Sequence, residues 1–236
     1  MSNTQLYWGD CLKIMDGLIA DGVKVDAIIT DPPYDISATN GGGSINNIKK
    51  LNKSLRDLTD LNITKGYDIV YFGEKAIRLM KDINIYLWCN KVQIPEYFNF
   101  WVNQHKCKFD ILCWHKTNAL PTYSNKYLSD TEYLLYFRKG KGNCFPQSYE
   151  DAKTFYIAPI NQKDKKVYKH PTIKPLDITE KIIRNSTREN QTVLDPFMGS
   201  GTTGVACKNV NRNFIGIELD LNYYMIAQER INADNA

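Results

Sequence analysis

Apolar positions along the chain change period repeatedly, and the changes lay out alternating strands and helices. Gln5-Leu6-Tyr7-Trp8 reads as a short strand closed by Gly9-Asp10. From Cys11 to Ile19, Leu12, Met15, Leu18 and Ile19 recur at helical spacing, and Asp21-Gly22 stops them. Val25-Asp26-Ala27-Ile28-Ile29-Thr30 is short, β-branched and halted by prolines, the pattern of a buried parallel strand. The same reading predicts a helix over 73–81, a strand over 83–89 and a helix over 93–103. Tyr97, Phe98, Phe100 and Trp101 on that second helix are assigned to the core. Strands follow over 110–114 and 132–137, then a helix over 176–185, a strand over 191–194 and a helical stretch at 205–207. A strand over 213–217 ends in Glu218, and a last helix covers 223–231. Strand–helix alternation of this kind predicts an α/β protein.

Two stretches lack any period. Residues 35–66 contain Asn40-Gly41-Gly42-Gly43-Ser44 followed by Lys49, Lys50, Lys53, Arg56 and Lys65. A mobile loop beside the active centre is expected there, transiently helical over 48–61. Its cations suit phosphate contacts or a solvated face equally well. In 139–169, Lys139, Lys141, Lys153, Lys163, Lys165, Lys166 and Lys169 are interleaved with Phe145, Tyr149, Phe155, Tyr156 and Tyr168. Basic and aromatic residues together suit a nucleic-acid surface better than charge alone does. The polar link from His115 to Tyr127 shares an edge with Tyr34 if the strand before it runs parallel to the first ones.

Size and charge narrow the class. A chain of 236 residues fits one domain with room for an inserted lobe, and a net charge of +4 does not by itself establish a nucleic-acid partner. The six cysteines form no Cys-x-x-Cys pair, and three histidines make no zinc site with them, so reduced thiols in a cytoplasmic protein and no metal are expected. The N-terminus lacks a signal-peptide core, and no apolar run reaches membrane-spanning length.

Candidate chemistry sits where two strands end. Asp31-Pro32-Pro33-Tyr34 follows the 25–30 strand, at the sheet edge where open α/β proteins bind ligands. The group suits attack by an exocyclic amine of a nucleic-acid base, whose lone pair is delocalised into the ring. The Asp31 carboxylate and the Pro32 carbonyl each accept one amine hydrogen, and the two prolines fix their directions. Tyr34 offers a ring on which an extruded base stacks. The tetrapeptide alone also fits a plain turn. The second group is Asp195-Pro196-Phe197-Met198-Gly199-Ser200-Gly201-Thr202-Thr203-Gly204, a glycine-rich turn between strand and helix. An acid at the tip of the next strand, Glu218, is placed to take two ribose hydroxyls. The turn lacks the G-x-G-x-x-G spacing, which favours a nucleoside ligand without phosphates over a dinucleotide.

These two motifs together resemble the amino-methyltransferases that modify DNA from S-adenosylmethionine. With the tetrapeptide before the glycine turn, the order is similar to their circularly permuted β class. His170-Pro171-Thr172-Ile173-Lys174-Pro175 resembles that class's motif upstream of the turn, and the likeness runs from Asp10 to about Arg230. It thins in the two irregular stretches, and target recognition is expected in 139–169. The resemblance implies a single methyltransferase domain over 1–236. Its fold is Rossmann-like, with a mixed, mostly parallel sheet and helices on both faces. It implies that Asp31, Pro32, Pro33 and Tyr34 are catalytic, with Asp31 also lining the cofactor. Asp195, Pro196, Phe197, Gly199, Ser200, Gly201 and Thr202 would hold the methionine part, Thr172 and Lys174 its carboxylate, Glu218 the ribose and Asp10 the adenine amine. Asp10 taken alone reads as a helix N-cap.

The reaction implied is direct methyl transfer to a flipped-out base of double-stranded DNA, with no covalent intermediate, since no cysteine stands in a Pro-Cys context. Asp at the first tetrapeptide position points to the N6 amine of adenine, because many cytosine N4 enzymes of the family carry Ser there. The alternatives are N4-cytosine transfer, an RNA or protein-amide methyltransferase, and a non-catalytic DNA-binding subunit. Family habit adds a homodimer and a cognate restriction endonuclease as expected partners.

Overall fold

Among the described residues, eight strands form one sheet. The computed structural model describes residues 2–33, 67–121, 127–140, 144–168 and 173–233. In chain order the first elements are β1 (Thr4–Trp8), α1 (Cys11–Ala20), β2 (Ala27–Thr30), α2 (Ile69–Leu79) and β3 (Ile83–Cys89). Then come α3 (Ile94–Phe98), which runs on as a π-helical turn over Asn99–Gln104, β4 (Lys108–Lys116), β5 (Thr131–Lys139), α4 (Tyr149–Ala152) and β6 (Phe155–Ala158). The last are α5 (Gln162–Val167), α6 (Leu176–Ser186), β7 (Thr192–Asp195), α7 (Thr202–Asn209), β8 (Asn213–Glu218) and α8 (Leu221–Asn232). The expected loop over 35–66, with its helical stretch, lies outside the described residues.

The sheet order is β1-β8-β7-β2-β3-β5-β4-β6. Its pairings are parallel from β1 across to β3, antiparallel on both sides of β5, and parallel again between β4 and β6. Seven of these strands therefore point one way, and β5 alone is reversed. Its first residues, Thr131 and Glu132, lie at the edge where the other strands end. The link after β4 also lies there, as the sequence reading required.

Helices cover both faces. Met15 and Leu18 of α1, Ile69, Phe72, Ala76 and Leu79 of α2, and Tyr97, Phe100 and Trp101 pack with Ile28, Ile85, Leu87 and Ile217 on one face. Ile178, Ile182 and Ile183 of α6, Val205 and Ala206 of α7, and Ala227 and Ile231 of α8 pack with Ile29, Tyr86, Val193 and Phe214 on the other. Each buried side chain of this size contributes roughly 1.5–3 kcal/mol. Three of the four aromatics assigned to the core from sequence are there, but the fourth, Phe98, is 38% exposed, its ring packed edge-on against Phe109.

Two boundaries moved for identifiable reasons. The expected 73–81 helix begins at Ile69, because Asp68 caps it by accepting from the Tyr71 N–H at 2.9 Å. It ends at Leu79, because Lys81 donates its N–H to the Val25 carbonyl and extends the chain instead. Gly73 does not break it. A Cβ there would stand 2.2 Å from the Phe100 ring, so the glycine lets α2 close onto the π-helical turn. The stretch 139–169 is not wholly irregular either, since it contains α4, β6 and α5. It also climbs the sheet: Lys139 ends the reversed β5 at the far edge, and only from about Ala158 does the chain return to the edge of β2.

The termini support the permuted order. α8 packs beside β1, and the Asn3 carbonyl accepts from the Phe214 N–H of β8 at 2.9 Å. The first strand and last helix are thus neighbours.

Candidate active site at the carboxyl edge of the sheet

β2 and β7 are adjacent, so the two motif-bearing strand tips meet. The Thr30 hydroxyl donates to Asp195 Oδ1 across that boundary at 2.6 Å. Asp31 follows immediately, with Pro32 buried behind it. The Pro33 carbonyl accepts from Gln93 Nε2 at 3.2 Å. Gln93 is buried, and its backbone N–H is held by Asn90 Oδ1 at 3.1 Å, so the loop after β3 grips the tetrapeptide. Tyr34 lies outside the described residues.

Asp31 is ion-paired. Lys174, only 7% exposed, donates from Nζ to Asp31 Oδ2 and stands 3.2 Å from Glu132 Oε2. Lys116 pairs with the other Glu132 oxygen at 2.5 Å. The ammonium of Lys174 lies over the Trp88 ring and that of Lys116 over Trp114, each at 5.3 Å. Burial pushes the Glu132 carboxyl up, but the two ammonium groups win and hold it at about 2. Burial likewise lowers Lys174, and the Asp31 and Glu132 carboxylates outweigh it, leaving a net upward shift. Cys89, at the end of β3, is pushed to about 12 by burial with Asp31 adding, so it stays a thiol.

The glycine turn is fixed from within. Asp195 Oδ2 accepts from the Thr203 hydroxyl at 2.6 Å, and Oδ1 accepts from the Phe197 N–H at 3.1 Å as well as from Thr30. Its carboxylate is thus engaged inside the turn, and burial raises it to about 6. Gly199 and Gly201 adopt φ of +51° and +83°, the left-handed region. At Gly201 a Cβ would lie 3.1 Å from the Ala227 Cα. Pro196, Ser200 and Thr202 are buried, and Phe197 packs edge-on to Tyr67 at 5.5 Å. Arg230 of α8 donates to the Ser200 carbonyl at 3.2 Å and to the Thr202 hydroxyl at 3.1 Å, with its guanidinium on the Tyr168 ring.

Glu218 joins the turn to the next strand tip. Its Oε2 accepts from the Gly199 N–H and its Oε1 from the Asp220 N–H, both at 2.8 Å, and burial raises its carboxyl. Asp10 caps α1, Oδ1 accepting from the Lys13 N–H at 3.0 Å. Pairing of Trp8 with Glu218 sets Asp10 beside Glu218, and both carboxylates act on the Cys11 thiol, which burial drives to about 12.

One edge therefore gathers Asp10, Asp31, Pro32, Pro33, Lys174, Glu218 and the 195–202 turn, while Thr172 lies outside the described residues. Sequence reasoning missed Glu132, Lys116 and Gln93. The only signal for Glu132 was a charged residue opening an apolar strand, which reads equally as an exposed end.

An α/β sheet with a glycine turn, a ribose-suited acid on the neighbouring strand and an amine-accepting tip defines a nucleoside-cofactor enzyme acting on an amine. The DNA methylase family model matches residues 25–229. The Type II methyltransferase M2.LlaDCHI of Lactococcus lactis subsp. cremoris is 32% identical over 252 residues, covering 98% of this chain and 90% of that protein. M2.DpnII of Streptococcus pneumoniae is 32% identical over 234 residues, covering 90% and 84%. The crystal structure of the M1.HpyAVI–SAM complex superposes with a TM-score of 0.71 at 31% identity, over 96% of this chain and 99% of that one. The chain belongs to the DNA methylase family, and it is a DNA methyltransferase that takes its methyl group from S-adenosylmethionine.

Proposed function

We propose that the protein methylates the N6 amine of adenine within a specific sequence of double-stranded DNA. The observation that supports this reading best is the junction of β2 and β7, which sets Asp31 beside the glycine turn through the Thr30–Asp195 bond.

The residues present fit the cofactor by their chemistry. Glu218 suits ribose hydroxyls, Asp10 an adenine amine, and the Asp195–Thr202 turn presents buried backbone beside Phe197. When bound, S-adenosylmethionine supplies an electrophilic methyl group. The chain's own part is to accept and to orient. Asp31 and the Pro32 carbonyl accept the two amine hydrogens, which localises the nitrogen lone pair. Gln93 occupies the Pro33 carbonyl and so anchors the peptide immediately after the two acceptors. Tyr34 is assigned to stacking under the extruded base. Cys89 and Cys11, the thiols described at that edge, are both pushed up by burial and supply no thiolate. Most of the acceleration then comes from holding two reactants in register.

Target reading is assigned to the part of 139–169 from Ala158 onward, together with the link after β4. Asn118 ties these two, accepting from the Ile160 N–H at 2.6 Å and donating to its carbonyl at 3.3 Å. A homodimer and a companion restriction endonuclease complete the proposal, with sedimentation of the purified protein testing the first.

Asp31→Ala tests the reading. Transfer of labelled methyl to duplex DNA should fall by at least about 100-fold, while cofactor binding stays measurable by calorimetry. Transfer at the wild-type rate would end the assignment of Asp31. Methylated cytosine rather than adenine in DNA from expressing cells would replace the substrate by its N4 alternative.

A further inference from the structure

We propose that Glu132 is a positioning residue for the transfer, sharing the Lys174 ammonium with Asp31 so that Asp31 is held in place without its charge being cancelled. The inference rests on the reading of Asp31 as the amine acceptor.

A buried ammonium with three N–H donors requires acceptors. If Asp31 were the sole carboxylate at Lys174, the pair would collapse to a neutral contact. The amine nitrogen gains positive charge as its bond to carbon forms, and a neutralised carboxylate stabilises that charge poorly. Glu132 Oε2 stands 3.2 Å from the same ammonium as an ion pair and competes with Asp31 for its field. Lys116 then balances Glu132 at 2.5 Å. Among the described residues these two carboxylates and two ammonium groups sum to zero, which limits the cost of holding charge in a largely buried cluster. The Trp88 and Trp114 rings form its floor, 6.3 Å apart and nearly perpendicular. Reversal of β5 is what makes this possible. Running parallel, the strand would have delivered Lys139, and not Glu132, to this edge.

Glu132→Gln keeps the size and removes the charge. At saturating duplex DNA and cofactor it should lower kcat about 10- to 100-fold. The KM for DNA and the calorimetric affinity for cofactor should stay within about threefold. In a Lys174→Met background the same change should cost under about threefold, because the shared ammonium is gone. Selective 15N-lysine labelling gives a readout independent of turnover. The Lys174 ammonium signal, identified by its loss in Lys174→Met, should shift and exchange faster in Glu132→Gln. Glu132→Gln leaves Lys116 without its carboxylate, so the comparison is repeated on Lys116→Met, where no cation is orphaned and the same Lys174-dependent loss is expected. A kcat within threefold of wild type, an equal loss with and without Lys174, or an unmoved ammonium signal would overturn the inference. Retained transfer in Asp31→Ala removes the reading of the site itself. A normal Glu132→Gln beside an inactive Asp31→Ala removes this inference alone.

Discussion

Asp195→Asn should stabilise the protein at neutral pH and lose that advantage in acid. Asp195 is 3% exposed and accepts three hydrogen bonds, yet burial still outweighs them and lifts its carboxyl from 3.8 to about 6. The folded state therefore keeps a proton that the unfolded chain releases between about pH 4 and 6. A raised carboxyl contributes stability that is whole below the unfolded value and lost as pH climbs through the folded one. A shift of roughly two units corresponds to about 3 kcal/mol. Asn is the neutral side chain made permanent. Its carbonyl oxygen keeps the Thr30 and Phe197 donors, and its amide donates to the Thr203 hydroxyl, which rotates to accept. Urea unfolding of both proteins at pH 4.5, 5.5, 6.5 and 7.5 should show the difference growing in favour of Asn by about 2–3 kcal/mol. Glu218, also raised by burial, cancels in that difference. So does Glu132, whose contribution is lost only as pH falls through about 2. A difference constant to about 0.5 kcal/mol over this range would refute the reasoning.

Two further substitutions probe the scaffold around the reacting groups. Gln93→Leu removes the donor to the Pro33 carbonyl and should lower kcat about tenfold with cofactor affinity unchanged, read by single-turnover methyl transfer and calorimetry. Gly201→Ala forces a side chain onto a φ of +83° and against the Ala227 backbone. It should cost about 1–3 kcal/mol of stability by urea unfolding and weaken cofactor binding more than DNA binding.

Much of the edge was legible because its residues mark themselves locally. Prolines stop β2, glycines open the turn before α7, and an acid ends β8, each within a few residues of an apolar run. The elements that misled are those whose meaning is tertiary. Gly73 reads as the start of its helix, and only the Phe100 ring against it shows why a glycine lies inside α2 instead. β6 has four residues, and its Phe155 and Ile157 are exposed while Tyr156 is buried, so its apolar run carries no inward alternation to read. Glu132 and Gln93 act through partners brought from other strands and loops. No spacing in the chain announces a carboxylate that will be shared with Lys174 or an amide that will hold Pro33.

The charges at this edge bear on how DNA is handled. Among the described residues, the strand tips carry Asp10, Asp31, Glu132, Asp195 and Glu218 against Lys116 and Lys174, although the chain as a whole is +4. Such a floor repels phosphates at the short range where screening is weak. Exposed cations stand around it instead: Lys91 beyond the tip of β3, and Lys163 and Lys166 on α5 just past the end of β6. Under the proposed function a duplex resting on that rim would keep its backbone away from the carboxylates, so the part of a nucleotide suited to the floor is its uncharged base. A sulfonium donor, by contrast, is favoured there. The same field attracts the cationic cofactor, whereas an uncharged base is only spared the repulsion that a phosphate meets, so under the proposed function extrusion of the base brings the amine to the floor while the backbone stays outside it.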